Sequence, residues 1–187
     1  PTLRVQKTPL IGSLLKSQLN TSFPSNVKYG DITKGLPISD NSCDGLYCSH
    51  TLEHLSLLDF REALKNSYKI LKKGGIFRCI VPDLEHISRQ YIKDLDSGDN
   101  QASVKFINNT LMGITERQRG VKGLINTFLG NAHHMWMWDT KSLAEELRKA
   151  GFTAIRACKF NDSEDAMFKH VENAERFENA VAIECRK

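Results

Sequence analysis

Residues 48–55 read CSHTLEHL, which sets His50, Glu53 and His54 in the spacing H-x-x-E-H. Two imidazoles at that spacing on one face of one helix could hold a zinc ion. The glutamate could then take a proton from a metal-bound water. The flanking elements decide whether that geometry is available. GLYCS (45–49) is short and apolar and reads as a buried strand. Ser56, followed three residues later by Asp59, has the spacing of a helix N-cap. His50 to Leu55 therefore straddles a strand-to-helix turn, where the two imidazoles need not converge. No metal is expected on this reading. A zinc hydrolase using His50, Glu53 and His54 is the least favoured of the functions weighed. The plainer reading is a loop held by local hydrogen bonds, and the sharper one is a loop that touches a ligand at a strand end.

A second concentration of chemistry is HHMWMW (133–138). His133 and His134, like His54, could serve as a general base, because an imidazole is the side chain whose ordinary ionisation falls near neutral pH. Trp136 and Trp138 could wall an apolar or sugar-like ligand, although aromatic packing is the default reading.

The elements around these residues alternate between strand and helix. VKYGDIT (27–33) reads as a short strand and GLPISDNSCD (35–44) as a turn. The helix from Ser56 carries Phe60, Leu64, Ile70 and Leu71 at helical spacing, with Lys72 and Lys73 in its last turn and Gly74 and Gly75 ending it. IFRCIV (76–81) is a nearly continuous apolar run, the mark of a strand covered on both faces. LEHISRQYIKDL (84–95) reads as a helix with Leu84, Ile87, Tyr91 and Leu95 on one face, and SGDNQ (97–101) as a loop. A further helix is expected from Asp139 or Thr140 to Ala150, with Leu143 and Leu147 inward. FTAIRACKF (152–160) and AVAIECRK (180–187) read as the last strands. The pattern implies an α/β fold with a mainly parallel sheet and helices on both faces. Ligands of such sheets bind beyond the carboxyl ends of the strands, which directs attention to the loops after Thr33, Ser49 and Val81.

The 187 residues suit a single domain, residues 1–187, with an N-terminal helical segment (1–26) and a lid or substrate-side insertion (97–138). Charged residues are 26% of the chain and the net charge is +4, without basic clustering, so no nucleic-acid partner is expected. No apolar run is long enough to span a bilayer, so no membrane partner is expected either. The five cysteines include no C-x-x-C pair and sit mostly in apolar runs. They suggest free thiols in a reducing, cytoplasmic setting. Self-association is left open.

Taken in order, GDITKGLPISDNSCDGLYCSHTLEHL, YKILKKGGIFRCIVPDLE and HHMWMWDTKSLAEELRKAGF resemble the Rossmann-like S-adenosylmethionine-dependent methyltransferases, from about residue 27 onward. The resemblance implies S-adenosylmethionine as cofactor and a small molecule as methyl acceptor. It carries Asp31 to the acidic position that takes the adenine amino group, and Ile32 to the contact beside the ring. Ser49, His50, Thr51 and Leu52 match the loop lining the methionine part of the cofactor. Pro82 and Asp83 border the substrate side.

The family's glycine-rich cofactor loop and the acidic residue after its second strand find no match in residues 1–26, which hold one glycine and no Asp or Glu. PLIGSLLKSQL reads instead as the helix after the second strand, so the sheet is expected to be incomplete at its N-terminal side. A longer polypeptide, a completing partner chain and LRVQK as a replacement strand are the three explanations. The rival function is a non-catalytic methyltransferase-like binding or assembly module.

Overall fold

The computed structural model describes residues 26–116 and 133–187. The expected helix within residues 1–26 and the middle of the expected lid lie outside the described residues. Contacts divide the chain into two units: residues 32–113 with 132–187 form one, and residues 26–31 and 114–116 are the described parts of the other.

The larger unit is built on a four-stranded sheet. Its strands are β1 (Cys43–Ser49), β2 (Leu71–Pro82), β3 (Thr153–Ala157) and β4 (Ala180–Arg186), in the spatial order β1-β2-β4-β3. Its α-helices are α1 (Leu57–Ile70), α2 (Leu84–Asp96), α3 (Ala102–Thr110) and α4 (Thr140–Lys149). Only β1 and β2 run parallel; β4 is antiparallel to both β2 and β3. The sheet is mixed rather than mainly parallel, and the connections explain why. Parallel neighbours need a crossover, which α1 supplies between β1 and β2. The chain from β3 to β4 carries only two short 3₁₀ helices, Ala166–His170 and Ala174–Phe177, and returns antiparallel.

The alternation along β2 and β4 separates two faces. Phe77, Cys79 and Val81, with Val181, Ile183 and Cys185, enter the main core beside Phe60 and Leu64 of α1 and Leu143 and Leu147 of α4. On the other face Arg78 lies opposite Glu184 and beneath the rings of Phe168 and Phe177 from the β3–β4 connection. IFRCIV is thus covered on both faces, as its composition implies. All five cysteines are free, and Cys79 and Cys185 are buried. Among the described residues no helix is long and apolar enough to cross a membrane.

α1 and α4 start as the sequence indicates. The Ser56 hydroxyl accepts from the Asp59 amide at 3.3 Å and donates to its carboxylate at 2.8 Å. Asp139 and Ser142 form a reciprocal capping box at α4.

Three local expectations are corrected. α1 ends at Ile70, before the two glycines; Leu71 already pairs with Cys43, and residues 72–75 bulge out before pairing resumes at Ile76. The amides of Asn41 and Ser42 take the terminal carbonyls of Lys69 and Ile70, so the helix needs no glycine cap there. VKYGDIT is not a strand: Asp31 alone makes a bridge, and the carbonyls of Ile32 and Thr33 accept from the Asn66 side chain of α1. On α2 only Ile87 is buried, and Leu95 is exposed. Tyr91 turns to Phe106 of α3, 5.1 Å away between ring centroids.

Candidate functional site

The parallel strand β1 delivers Ser49 to the carboxyl edge of the sheet, and the chain turns sharply at the next residue. His50 has φ 48°, in the left-handed region that a non-glycine residue occupies at a cost. Its amide still donates to the Ile80 carbonyl at 2.9 Å, so the turn is anchored to β2. The chain then makes a 3₁₀ turn, Leu52–His54, before α1 begins. The α-helix that would set His50 and His54 on one face is therefore absent from this string. Leu52 is 1% exposed and part of the core, whereas Thr51 is at the surface and donates to the Ser49 carbonyl.

Residues 133–138 return to this loop. The amides of Met135 and Trp136 both donate to the Glu53 carbonyl, at 2.7 and 3.1 Å. Trp138 bridges Asp83, its carbonyl accepts from the Leu84 amide, and its ring packs on Phe60 with 4.3 Å between centroids. Trp138 is thus core packing, while Trp136 is exposed.

These two segments bring His50, Glu53, His54, His133 and His134 together. Glu53 is 1% exposed, and neither carboxylate oxygen has a hydrogen-bond donor. His50 Nδ1 stands 3.5 Å from Glu53 Oε1, and His54 Nε2 stands 3.9 Å from the same oxygen. The far nitrogen of each ring is occupied. His50 Nε2 donates to the Arg176 carbonyl at 3.0 Å, and His54 Nδ1 donates to the His133 carbonyl at 3.0 Å. The His134 ring is buried, meets His54 edge-on at 5.0 Å, and leaves Nδ1 without a partner. The Glu53 carboxylate raises the pKa of His50 against the opposing effect of burial. Burial lowers that of His134, with Glu53 opposing. The Cys48 thiol, at the end of β1, is pushed up to about 12 by burial.

The remaining sequence candidates are placed as follows. Asp31 and Ile32 are half-buried, and Ile32 packs against the core. The Ser49 and Tyr47 hydroxyls are buried neighbours that form no regular hydrogen bond with each other. His133 is at the surface and enters the cluster through its carbonyl. The sequence reading gave no role to Arg176 or to the Thr110–Leu111 segment, whose Leu111 carbonyl accepts from the His134 amide. Nothing in local spacing could have found them, because each meets the cluster across a long stretch of chain.

Comparison with known proteins adds to this geometry. Residues 12–79 match the methyltransferase domain family. The segment takes in the Asp31 loop, β1, the histidine–glutamate turn, α1 and most of β2. The chain is similar to three solved methyltransferase structures. One is the Haloferax volcanii complex between the Trm112 methyltransferase activator and a methyltransferase, at 15% identity and TM-score 0.45, covering 96% of this chain and 68% of that one. A SAM-dependent methyltransferase of Archaeoglobus fulgidus gives 18% and 0.44, covering 96% and 73%. One of Thermotoga maritima gives 21% and 0.46, covering 83% and 60%. No curated protein matches the chain. Residues 12–79 thus carry the resemblance to a methyltransferase domain, and the described residues form an α/β fold of the type expected.

Proposed function

We propose that this chain carries out S-adenosylmethionine-dependent methyl transfer to a small-molecule acceptor. The observation that carries the reading is the match of residues 12–79 to the methyltransferase domain, because it covers the strand-end loop where such folds bind ligands. The cofactor, when bound, supplies an activated methyl group. The chain's own residues bind, orient and exclude water. The resemblance, not the geometry, assigns the residues that would hold the cofactor. Asp31 offers a carboxylate for the adenine amino group, with the apolar Ile32 beside it. Ser49, His50 and Thr51 line the methionine part, and Leu52 supports the loop from the core side. Among the described residues there is no glycine-rich strand-to-helix loop to receive the cofactor's carboxylate end.

His54 and His134 are the proposed proton-handling groups, because they face each other across the turn that follows β1; either takes a proton only while its ring nitrogen holds no metal ion. His133 positions His54 through its backbone carbonyl, which accepts a hydrogen bond from His54 Nδ1–H. A general base is required only for an acceptor that loses its proton early. The setting is proposed as cytoplasmic, in keeping with five free thiols.

Titration calorimetry with S-adenosylmethionine and S-adenosylhomocysteine tests the reading. Micromolar binding to the folded chain is expected, with heat that saturates at one site. A folded chain that binds neither compound supports the non-catalytic binding module instead.

A further inference from the structure

We infer that Glu53, His54 and His134 form a binding site for a first-row divalent cation of the zinc type, seated between the turn after β1 and the segment 133–138. The three side chains offer ligand atoms that all lie within 4.8 Å of one another. Ligand atoms of a tetrahedral zinc site, with bonds of about 2.1 Å, stand about 3.4 Å apart. The cluster therefore needs a contraction of side chains, not a rearrangement of backbone.

The hydrogen-bonding pattern inside the cluster also favours a cation. A carbonyl oxygen only accepts, so His54 must carry its proton on Nδ1, toward His133, and a neutral ring then points the Nε2 lone pair at Glu53. His50 also stands on this carboxylate, with Nδ1 3.5 Å from the same oxygen and Nε2–H spent on the Arg176 carbonyl, so a proton on His50 is what a bound cation would compete with. His134 Nδ1 is buried without a partner. The free nitrogens of His54 and His134 and the buried Glu53 carboxylate thus converge on one point. A buried carboxylate needs a positive charge beside it, which either a proton on His50 or His54 or a cation between Glu53, His54 and His134 supplies. Backbone carbonyls fixing the ring orientation of a ligating histidine is the usual outer-shell arrangement of a metal site. Two imidazoles and one carboxylate select a borderline cation over calcium or magnesium and leave a fourth position open.

This set differs from the zinc-peptidase reading of H-x-x-E-H. There the two histidines of the string are ligands and the glutamate is the base. Here the glutamate is itself a ligand, and the second histidine comes from 80 residues further along the chain (His54 to His134). The site would clip the two segments together whether or not methyl transfer occurs, so its test does not depend on that activity.

The competing occupant is a proton shared between Glu53 and its histidines. Metal-stripped chain is titrated with Zn2+ by calorimetry, and with Co2+ by visible absorption. The expected result is one equivalent of Zn2+ per chain and the intense visible bands of a four-coordinate Co2+ complex. Affinity should fall at least about hundredfold in His134→Ala and in Glu53→Gln, since a lost ligand costs more than a lost outer-shell partner. It should persist in His133→Ala, which keeps the carbonyl that orients His54. Circular dichroism first establishes that each variant is folded, and the Co2+ spectrum of the unaltered chain gives a readout that needs no variant. Weak bands like those of aqueous Co2+ with no Zn2+ uptake, or equal affinity in the folded His134 and Glu53 variants, would overturn the site in favour of the shared proton.

Discussion

Arg78 Nη1 donates to Glu184 Oε2 at 2.7 Å across two paired strands, in a part of the sheet where the arginine side chain is 1% exposed. Nε of the same guanidinium stands 2.6 Å from Glu172 Oε1, Nη1 also reaches Asp162, and Nη2 donates to the Lys159 carbonyl. Burial works against the charge, but Glu184 and Asp162 outweigh it and hold the arginine pKa up. The cation gathers the whole β3–β4 connection onto one face of the sheet. Removing it would strand buried carboxylates, which costs more than the pair contributes when intact.

Arg78→Ala should therefore destabilise the fold by about 3–5 kcal/mol. Adding Glu184→Gln should recover part of that loss, because it neutralises one of the stranded anions. Urea unfolding of the two variants checks this. A double variant less stable than Arg78→Ala would show that Glu184 is not the chief partner.

A second prediction concerns the proposed cofactor contact. Asp31→Ala should weaken S-adenosylmethionine binding by about 1.5–3 kcal/mol, the worth of a hydrogen bond to a charged group. Calorimetry at matched folded fraction measures it. Unchanged affinity would remove Asp31 from the adenine side.

Leu52 separates support from contact. Its side chain belongs to the core with Phe60, Leu64 and Trp138. Leu52→Ala should cost about 2–5 kcal/mol in stability, the range for emptying a buried leucine site. Thermal or urea unfolding reads this directly. A variant of full stability that had lost ligand binding would place Leu52 in the ligand wall instead.

Much of this was legible in the chain, for reasons of range. The starts of α1 and α4, the strands 45–49 and 76–81, and Leu143 and Leu147 as core follow from patterns a few residues wide. The end of α1 was not legible, because the two glycines that look like its stop belong to a bulge pinned from the far end of the sequence. The Gly74 amide donates to Lys187, and the Lys187 amide donates to Gly75. Arg78 was hidden inside an apolar run, since its partners Asp162, Glu172 and Glu184 lie at least 84 residues away. The candidate site divides the same way. The string H-x-x-E-H announces Glu53 and His54, and HHMWMW announces His134, but only the fold brings them together. The left-handed turn at His50 leaves no mark in the sequence, because histidine carries no glycine-like signal for it.

The pair Arg61–Glu146 should make stability fall in acid. Arg61 of α1 grips Glu146 of α4 with Nε to Oε2 at 2.7 Å and Nη2 to Oε1 at 3.0 Å, and Lys149 adds a third donor. The arginine holds the Glu146 pKa down to about 2, with burial opposing and Lys149 assisting. In the unfolded chain the same carboxyl titrates near its ordinary 4.5. Above about 4.5 it is ionised in both states, and the pair's contribution is fully present. As pH falls from about 4.5 to about 2 the unfolded chain takes up the proton first, and the contribution is progressively lost. Arg61 is 42% exposed, so water screens the pair and the effect is modest. Glu146→Gln carries no such linkage. The stability gap between the parent chain and this variant should therefore be widest at neutral pH and narrow through that window, as read from urea midpoints. A gap that stayed constant down to about pH 2 would mean that Glu146 is not ionised against Arg61 in the folded chain.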